Sequence, residues 1–448
     1  MTFKEENDKL YLDILDRYFF EFWRGKKTSD YKRPLELNLS PYCSLKCKYC
    51  YINKFRSKLF PPNAKNALLL KNTEILLRWL IKNNFNVGEI EIFSGDSFTA
   101  SQIDELYGMV FDYAKIYNID VVVPINPAFV LEDEKVKTYL KWREIFLKND
   151  LKMHFSLSMD GKYADIARPF TNENVTYTDD FYKRVAELAP LFEFGFHPMI
   201  APENIHVWKE NIKWYVDFVQ KALEINEERA LNSIYLLEVR NPNWTKKRLL
   251  YLASFTFYLT KFTFAIYNHN PDLYMNDFIK KEKGVNYYSS VISTVGRGFT
   301  CSIQEFITVR VADLAIVPCH RTAWPGFESA NLEVKDNQIV NIKPINPWIH
   351  LAVLSGRNDN APFCSHCPIN SLCTGFCLGT NLEYNKQPFI PVPNVCRMEF
   401  TKYKSIAKSF KMLGIWDVYE SFMKKDDCYY NNKKLQQMKY LLEGNNDL

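Results

Sequence analysis

From Pro34 to about residue 240 the chain alternates two hydrophobic patterns, and the alternation predicts its architecture. Stretches with every second residue apolar predict strands at 35–39, 89–93, 120–124, 153–158, 195–200 and 233–239. Between them apolar residues recur at helical spacing, as at 73–82 and 104–116, and predict helices. Strand and helix in strict succession argue for a parallel α/β sheet, and about six such units come close to a partial barrel. In parallel barrels the chemistry sits on loops at the C-terminal ends of the strands. Each predicted strand is followed by polar or glycine-containing sequence on that rim.

The flanks read differently. In residues 1–33, Leu10, Ile14, Tyr18 and Phe22 fall on one helical stripe that Gly25 stops, which predicts one amphipathic helix packed across the main domain. Residues 241–300 are helical and aromatic, a bridge leading out of the barrel. Their most apolar run, 249–267, contains Ser254, Thr256, Thr260 and Lys261 and reads as a buried helix rather than a membrane span. The tail, 401–448, is Lys-rich and helical, with a solvated face as the expectation.

Composition narrows the class. The chain has 448 residues, enough for two or three domains, and a formal net charge of +5, too small for a nucleic-acid footprint. Met1-Thr2-Phe3-Lys4-Glu5-Glu6-Asn7 is no signal peptide, so a cytoplasmic protein is expected. The 11 cysteines then point to thiolate ligands in a reducing compartment, not to disulfides.

Three cysteines lie on the loop after the first strand, Cys43-Ser44-Leu45-Lys46-Cys47-Lys48-Tyr49-Cys50. A tetrahedral zinc site wants four ligands, usually as two pairs. A [4Fe–4S] cubane takes one protein ligand per iron, so three cysteines leave one iron open to chelate a substrate's amino and carboxylate groups. A strand running into a CxxxCxxC loop with this aromatic neighbourhood resembles the radical S-adenosylmethionine (radical SAM) enzymes.

That resemblance extends along the rim. Ser94-Gly95-Asp96-Ser97, after the second strand, is similar to the family's GGEP segment, with Ser for the first Gly, Asp for Glu and Ser for Pro. Asn126 stands where Thr-Asn-Gly often occurs. Phe155-Ser156-Leu157-Ser158-Met159-Asp160-Gly161, with Arg168 downstream, looks like the family's Ser-Leu-Asp-Gly segment and its Arg. The resemblance implies cofactor contacts at Tyr49, Ser94, Gly95, Asp96, Ser97, Asn126, Ser156 and Arg168. An Arg suits a carboxylate because its planar fork bonds both oxygens. Glu238 and Arg240 share side-chain parity, so they either pair or face substrate. His154 and His197 sit inside strand patterns and read as satisfied core histidines.

A second constellation follows: Cys301, Cys319, the run Cys364-x2-Cys367-x5-Cys373-x3-Cys377, and Cys396. It resembles the SPASM domain, the iron–sulfur extension of radical SAM enzymes that modify peptides and proteins, here at 301–400. Leu314 stands where that pattern normally has Gly. The resemblance assigns Cys364, Cys367, Cys373 and Cys396 to one fully ligated cluster. It assigns Cys301, Cys319 and Cys377 to another, whose fourth ligand is Cys428, His320, Gln304 or an incoming substrate thiolate. It implies a partial (β/α)6 barrel over 34–240, a small α+β SPASM domain and a helical tail. It also implies S-adenosylmethionine, three [4Fe–4S] clusters, a peptide or protein substrate, an electron donor such as flavodoxin or ferredoxin, and possible help from a leader-peptide-binding partner. The expected reactions are a thioether or other side-chain crosslink in a ribosomally made peptide, or oxidation of Cys or Ser to formylglycine by an anaerobic sulfatase maturase.

Overall fold

The structure is a computed structural model that describes residues 34–39, 42–59, 65–93, 98–279, 307–346, 361–425 and 429–443. The expected N-terminal helix, Ser94 to Ser97, Cys301, Gln304 and Cys428 lie outside the described residues.

Strands β1 (Leu35–Asn38), β2 (Glu89–Phe93), β3 (Asp120–Ile125), β4 (Met153–Leu157) and β5 (Gly195–Phe196) pair in parallel in that order. Helices α1 (Tyr51–Leu59), α2 (Asn66–Lys82), α3 (Ala100–Tyr117), α4 (Asp133–Leu147), α5 (Asp179–Phe192) and α6 (Trp208–Leu223) separate or follow them. The α3 helix starts one turn before its apolar pattern, because Thr99 and Gln102 form a reciprocal capping box. The predicted fifth strand is split. Pro198 has no N–H to donate, and beyond it β6 (Met199–Ile200) pairs in parallel with β7 (Leu237–Glu238). Tyr235 N donates to Phe196 O and Val239 N to Ile200 O, so the curved wall runs on through the split.

The sheet also continues past residue 301. Strand β8 (Ile307–Arg310) pairs in parallel with the other edge of β1, matching Leu35 to Ile307. Strands β9 (Ala315–Val317), β10 (Ala330–Lys335) and β11 (Gln338–Pro344) then extend it antiparallel. An open β1 edge would present a row of unpaired backbone groups, and β8 covers it.

Alternation sets what each face does. Leu35, Leu37, Ile90, Ile92, Val121 and Val123 are buried in the core. The opposite face carries Glu36, Asn38, Glu91 and Phe93 in register across β1 and β2. Helix α7 (Lys246–Ile266) is the one helix among the described residues long and apolar enough to cross a membrane. One face, with Leu252, Phe255, Leu259 and Thr263, is buried and packs on α9 (Pro393–Met412). Its buried Thr260 and Thr263 hydroxyls donate to carbonyls one turn back. Helix α8 (Leu378–Asn385) precedes α9.

The tail adds a buried stripe to the expected solvated face. Helices α10 (Trp416–Lys425) and α11 (Tyr429–Glu443) are amphipathic, burying Trp416, Tyr419, Met423, Leu435, Met438 and Leu441. Lys424 and Lys425 are exposed, on the solvated face the sequence predicts, while Lys434 is buried beside the apolar stripe.

Candidate functional site

The three-cysteine loop leaves the C-terminal end of β1 and ends where α1 begins at Tyr51. It has little regular structure, yet its backbone is stitched to the segment carrying Arg168. Lys46 N donates to Pro169 O at 2.7 Å, Lys48 N to Ala167 O at 2.9 Å, and Thr171 N to Ser44 O at 2.8 Å. Cys43, Cys47 and Cys50 are all partly buried. The Cys43 sulfur accepts from Leu45 N at 3.4 Å and from Asn126 Nδ2 at 3.3 Å. Asn126 thus reaches the loop from the end of β3, while its Oδ1 caps the turn at Pro127–Leu131. Burial pushes the Cys47 thiol up to about 12 against the opposing pull of Arg168, and Cys43 and Cys50 raise it further. Such a thiol gives up its proton when it ligates metal.

Behind the loop lies Asp160, fully buried. Its Oδ2 accepts from the Tyr49 hydroxyl at 2.8 Å. Its Oδ1 accepts from Arg168 Nε at 3.1 Å and Nη2 at 3.0 Å, and from Met199 N at 3.0 Å. The Arg168 guanidinium also lies 5.5 Å from the Tyr49 ring centre. One carboxylate therefore ties together the cysteine loop, the Arg168 segment and β6. Gly161 makes the turn possible. Its φ of +84° suits glycine, and a Cβ there would fall 2.5 Å from Asn211 Oδ1 and 2.7 Å from Tyr215. The sequence motif gives Asp160 no role of its own, because a single buried acid carries no periodic signal.

Ser156 is half-buried in β4, opposite Pro124 and Gly195, on the same strand face as His154 and Ser158. His154 is no core residue: its side chain is 53% exposed and bonds Asp120 at 3.3 Å. His197 fits the core reading better. Burial, with Arg168 adding to it, lowers its pKa to about 4.

His320 enters the inner wall from the second cysteine segment. Its Nδ1 lies 2.7 Å from Glu36 Oε2, and its ring stacks on Phe93 at 4.2 Å and on Tyr51 at 5.8 Å. Burial works against its charge, but Glu36 holds its pKa above the usual value. Burial and Glu36 raise Glu91 to about 7.

The remaining cysteines fall into two surroundings. Cys364, Cys367 and Cys373 sit on consecutive tight turns, with Cys367 N donating to Cys364 O and Cys373 N to Ile369 O. Burial is the main cause raising Cys364 to about 12 and Cys373 well above its usual value, while Cys396 is exposed. Charge on neighbouring thiols of the same four raises each further, so they lie within one another's electrostatic reach. Helix α11 braces these turns: Gln437 Oε1 accepts from Ser371 N at 3.1 Å, and its Nε2 donates to Asn370 at 2.7 Å.

Cys377 is different. It caps α8, its sulfur accepting from Thr380 N at 3.5 Å. Burial alone would raise its thiol, but Arg321, Arg240 and Thr380 bring it below the ordinary value. Cys319 caps the turn His320–Thr322, which packs against α8. Among the described residues no three His, Cys, Asp or Glu side chains converge to hold a single metal ion.

Glu238 pairs elsewhere than with Arg240. Glu238 bonds Lys402 of α9 at 2.7 Å, with both side chains over nine-tenths buried. Arg240 acts on Cys377 and Glu399.

No protein-family model matches the chain, and neither does any curated protein sequence. Solved structures do match. The fold is similar to anSMEcpe with bound AdoMet, at a TM-score of 0.55 and 15% identity over 90% of this chain and 98% of that one. It is similar to anSMEcpe with bound AdoMet and Cp18Cys peptide, at 0.55 and 15% over 85% of this chain and 99% of that one. The complex with Kp18Cys peptide matches at 0.53 and 14%, over 85% and 99%. At these identities the likeness shows the fold, a mixed α/β architecture built on a parallel sheet and shared over most of the chain.

Proposed function

We propose that this chain is a radical SAM enzyme that modifies a peptide or protein substrate through S-adenosylmethionine and three [4Fe–4S] clusters. One observation carries the reading: three thiols on a single rim loop, with Asn126 donating to the first, in a fold shared with AdoMet-bound anSMEcpe. The donor sets suit such clusters. Cys43, Cys47 and Cys50 supply three thiols within mutual reach, and Cys364, Cys367, Cys373 and Cys396 supply four. When bound, the reduced cluster and cofactor supply a carbon-centred radical that removes a substrate hydrogen.

The chain's own groups position this chemistry. Asp160 holds Tyr49 and Arg168 against the loop, and Arg168 would meet the cofactor carboxylate with its remaining Nη1. Ser94, Gly95, Asp96 and Ser97 would take the cofactor's methionine end, and Ser156 its ribose. Cys301, Cys319 and Cys377 would hold the third cluster. His320 has its Nδ1 on Glu36 and its ring between Phe93 and Tyr51, which favours a substrate thiolate over His320 as that cluster's fourth ligand. An electron donor such as flavodoxin or ferredoxin, and in one reading a leader-peptide-binding partner, complete the system in the cytoplasm.

The favoured substrate is a ribosomally made peptide that receives a thioether or other side-chain crosslink, since only seven thiols serve the two later clusters. Formylglycine formation is the second reading and fits the neighbours as well: anSMEcpe is an anaerobic sulfatase maturing enzyme, seen with Cys-containing peptides. Anaerobically reconstituted protein, reduced with dithionite, should release 5′-deoxyadenosine. Cys-bearing peptides then separate the readings by mass. A crosslink keeps the sulfur and loses two hydrogens; formylglycine loses the sulfur. No 5′-deoxyadenosine from iron-replete protein would overturn both.

A further inference from the structure

The strand face opposite the core carries buried polar side chains that do not answer one another. Glu36 and Asn38 of β1 share that face with Thr308 and Arg310 of β8 on one side and with Glu91 and Phe93 of β2 on the other, matched by strand register. Glu36, Asn38 and Thr308 are each at most 4% exposed. Yet Glu36 Oε1, Asn38 Oδ1 and Thr308 Oγ1 have no hydrogen-bond partner among the described residues. Glu36 meets His320 through its other oxygen, Oε2. A buried oxygen left unpaired is costly, so three on one face point to a ligand that donates hydrogen bonds.

The neighbouring charges favour a cation as that donor. Arg310, on the same face, is taken up by Asp313 and Glu328, with Nη2 at 2.6 and 2.8 Å from their oxygens. Arg321, 5.0 Å from the Tyr51 ring centre, is taken up by Glu383 at 2.7 Å. Among the described residues this leaves the His320 imidazole to face Glu36 and Glu91. Two ionised carboxylates against one imidazole leave negative charge even when His320 is protonated. The shelf opens along one edge: 29% of the His320 side chain is exposed, and Glu91 and Phe93 are partly exposed.

Resting on the proposed reading of the chain as a peptide-modifying enzyme, we infer that Glu36, Asn38, Thr308 and Glu91 form a subsite for a cationic side chain of the substrate, a Lys or Arg near the residue that is modified. An ammonium or guanidinium brings several N–H donors and no acceptor, which is what a set of unpaired oxygens requires. Glu36 and Glu91 supply the charge, and Asn38 and Thr308 direct the donors. The amino group of S-adenosylmethionine is the other source of this chemistry. It shares a carbon with the carboxylate assigned to Arg168, and Arg168 is tied through Asp160 to Met199 of β6. The shelf lies instead on β8, β1 and β2, and meets the second cysteine region at His320.

The test takes the reconstituted full chain, with n-butylammonium and n-butylguanidinium as probes and n-butylurea as the neutral control, read by thermal unfolding. A ligand that binds only the folded state raises the midpoint. At least one cation should raise it further than n-butylurea does, and Glu36→Gln should weaken that cation about tenfold or more. Thr308→Val keeps the side chain's shape but removes an unpaired buried hydroxyl. It should raise the midpoint of the protein alone and yet weaken the probe, a pair of opposite movements that a packing role would not give. Equal effects of the cations and n-butylurea, or undiminished binding to Glu36→Gln protein, would overturn the inference. So would potassium ions that stabilise as well as the probes, which would mean a metal-ion site, or S-adenosylmethionine that displaces them, which would mean the cofactor's own amino group. A library of short Cys-centred peptides captured on the protein then tests the substrate: Lys or Arg should be enriched at one spacing from the Cys, and Glu36→Gln should lose that enrichment. Captured peptides without it would also overturn the inference. All of this is read without turnover. Protein that fails these tests yet releases 5′-deoxyadenosine leaves the proposed function standing, and protein that passes them but releases none removes that function and leaves the cation subsite.

Discussion

The two cysteine regions are held in place by different means. The rim loop of Cys43, Cys47 and Cys50 has little internal structure. It takes its shape from distant sequence: backbone bonds to 167–171, Asn126 from β3, and Asp160 behind Tyr49. The run from Cys364 to Cys377 folds mostly on itself, in consecutive turns and a helix cap, and α11 then braces it. A loop shaped from outside concentrates its dependence on a few distant side chains. A run shaped locally spreads it over many small contacts.

The largest test of that contrast removes the thiols. Cys43, Cys47 and Cys50 changed together to Ala should abolish 5′-deoxyadenosine formation and remove about four irons. Changing Cys364, Cys367, Cys373 and Cys396 to Ala should also remove about four irons while cofactor cleavage persists. Iron analysis beside product chromatography reads both. Cleavage surviving the first change, or vanishing with the second, would break the division of labour.

Next comes the support from outside. Asp160→Ala leaves Arg168 as a buried, uncompensated cation, which should cost about 3–5 kcal/mol in denaturant unfolding. It should also lower iron retention at the rim loop more than at the later cysteines. A loss below about 1 kcal/mol would mean that the loop shapes itself.

The barrel side also carries a pH signature. His197 is lowered to about 4 in the folded protein, from 6.5. Between those values the unfolded chain binds the extra proton, so stability is full above pH 6.5 and falls as pH drops toward 4. The loss should reach at most about 3 kcal/mol. His197→Gln should flatten unfolding curves over that window, and an unchanged slope would place the titration elsewhere.

The smallest effect belongs to the locally folded run. Gln437→Ala removes its bonds to Ser371 and Asn370 and should cost about 1 kcal/mol, without changing cofactor cleavage. A loss as large as that of Asp160→Ala would erase the contrast.

Much of the architecture was legible because alternation and helical spacing are local. The strands around Leu37, Ile90, Val121 and Phe155, and the thiol-bearing loop after the first, follow from neighbours along the chain. What escaped was non-local. Nothing near Asp160 announces that Tyr49 and Met199 will meet on it. Glu238 and Arg240 shared a strand face, yet the Glu238 counter-ion is Lys402, from a helix much further along. His154 lies on an exposed face, and strand parity says which residues share a face, not which face is covered. The Lys-rich tail hid an apolar stripe behind its charge.

The pairing of β1 with β8 bears on how the protein is made. Leu35 leaves the ribosome early, and its partner Ile307 much later. Until then one edge of the nascent sheet is bare, and sheets with such high contact order fold slowly and are exposed to aggregation. A chain that stops short of β8 would carry the rim cysteines but keep an open, adhesive edge. Synthesis of the late segment therefore gates completion of the early one, so that assembly of the rim site is timed by translation of the second cysteine region.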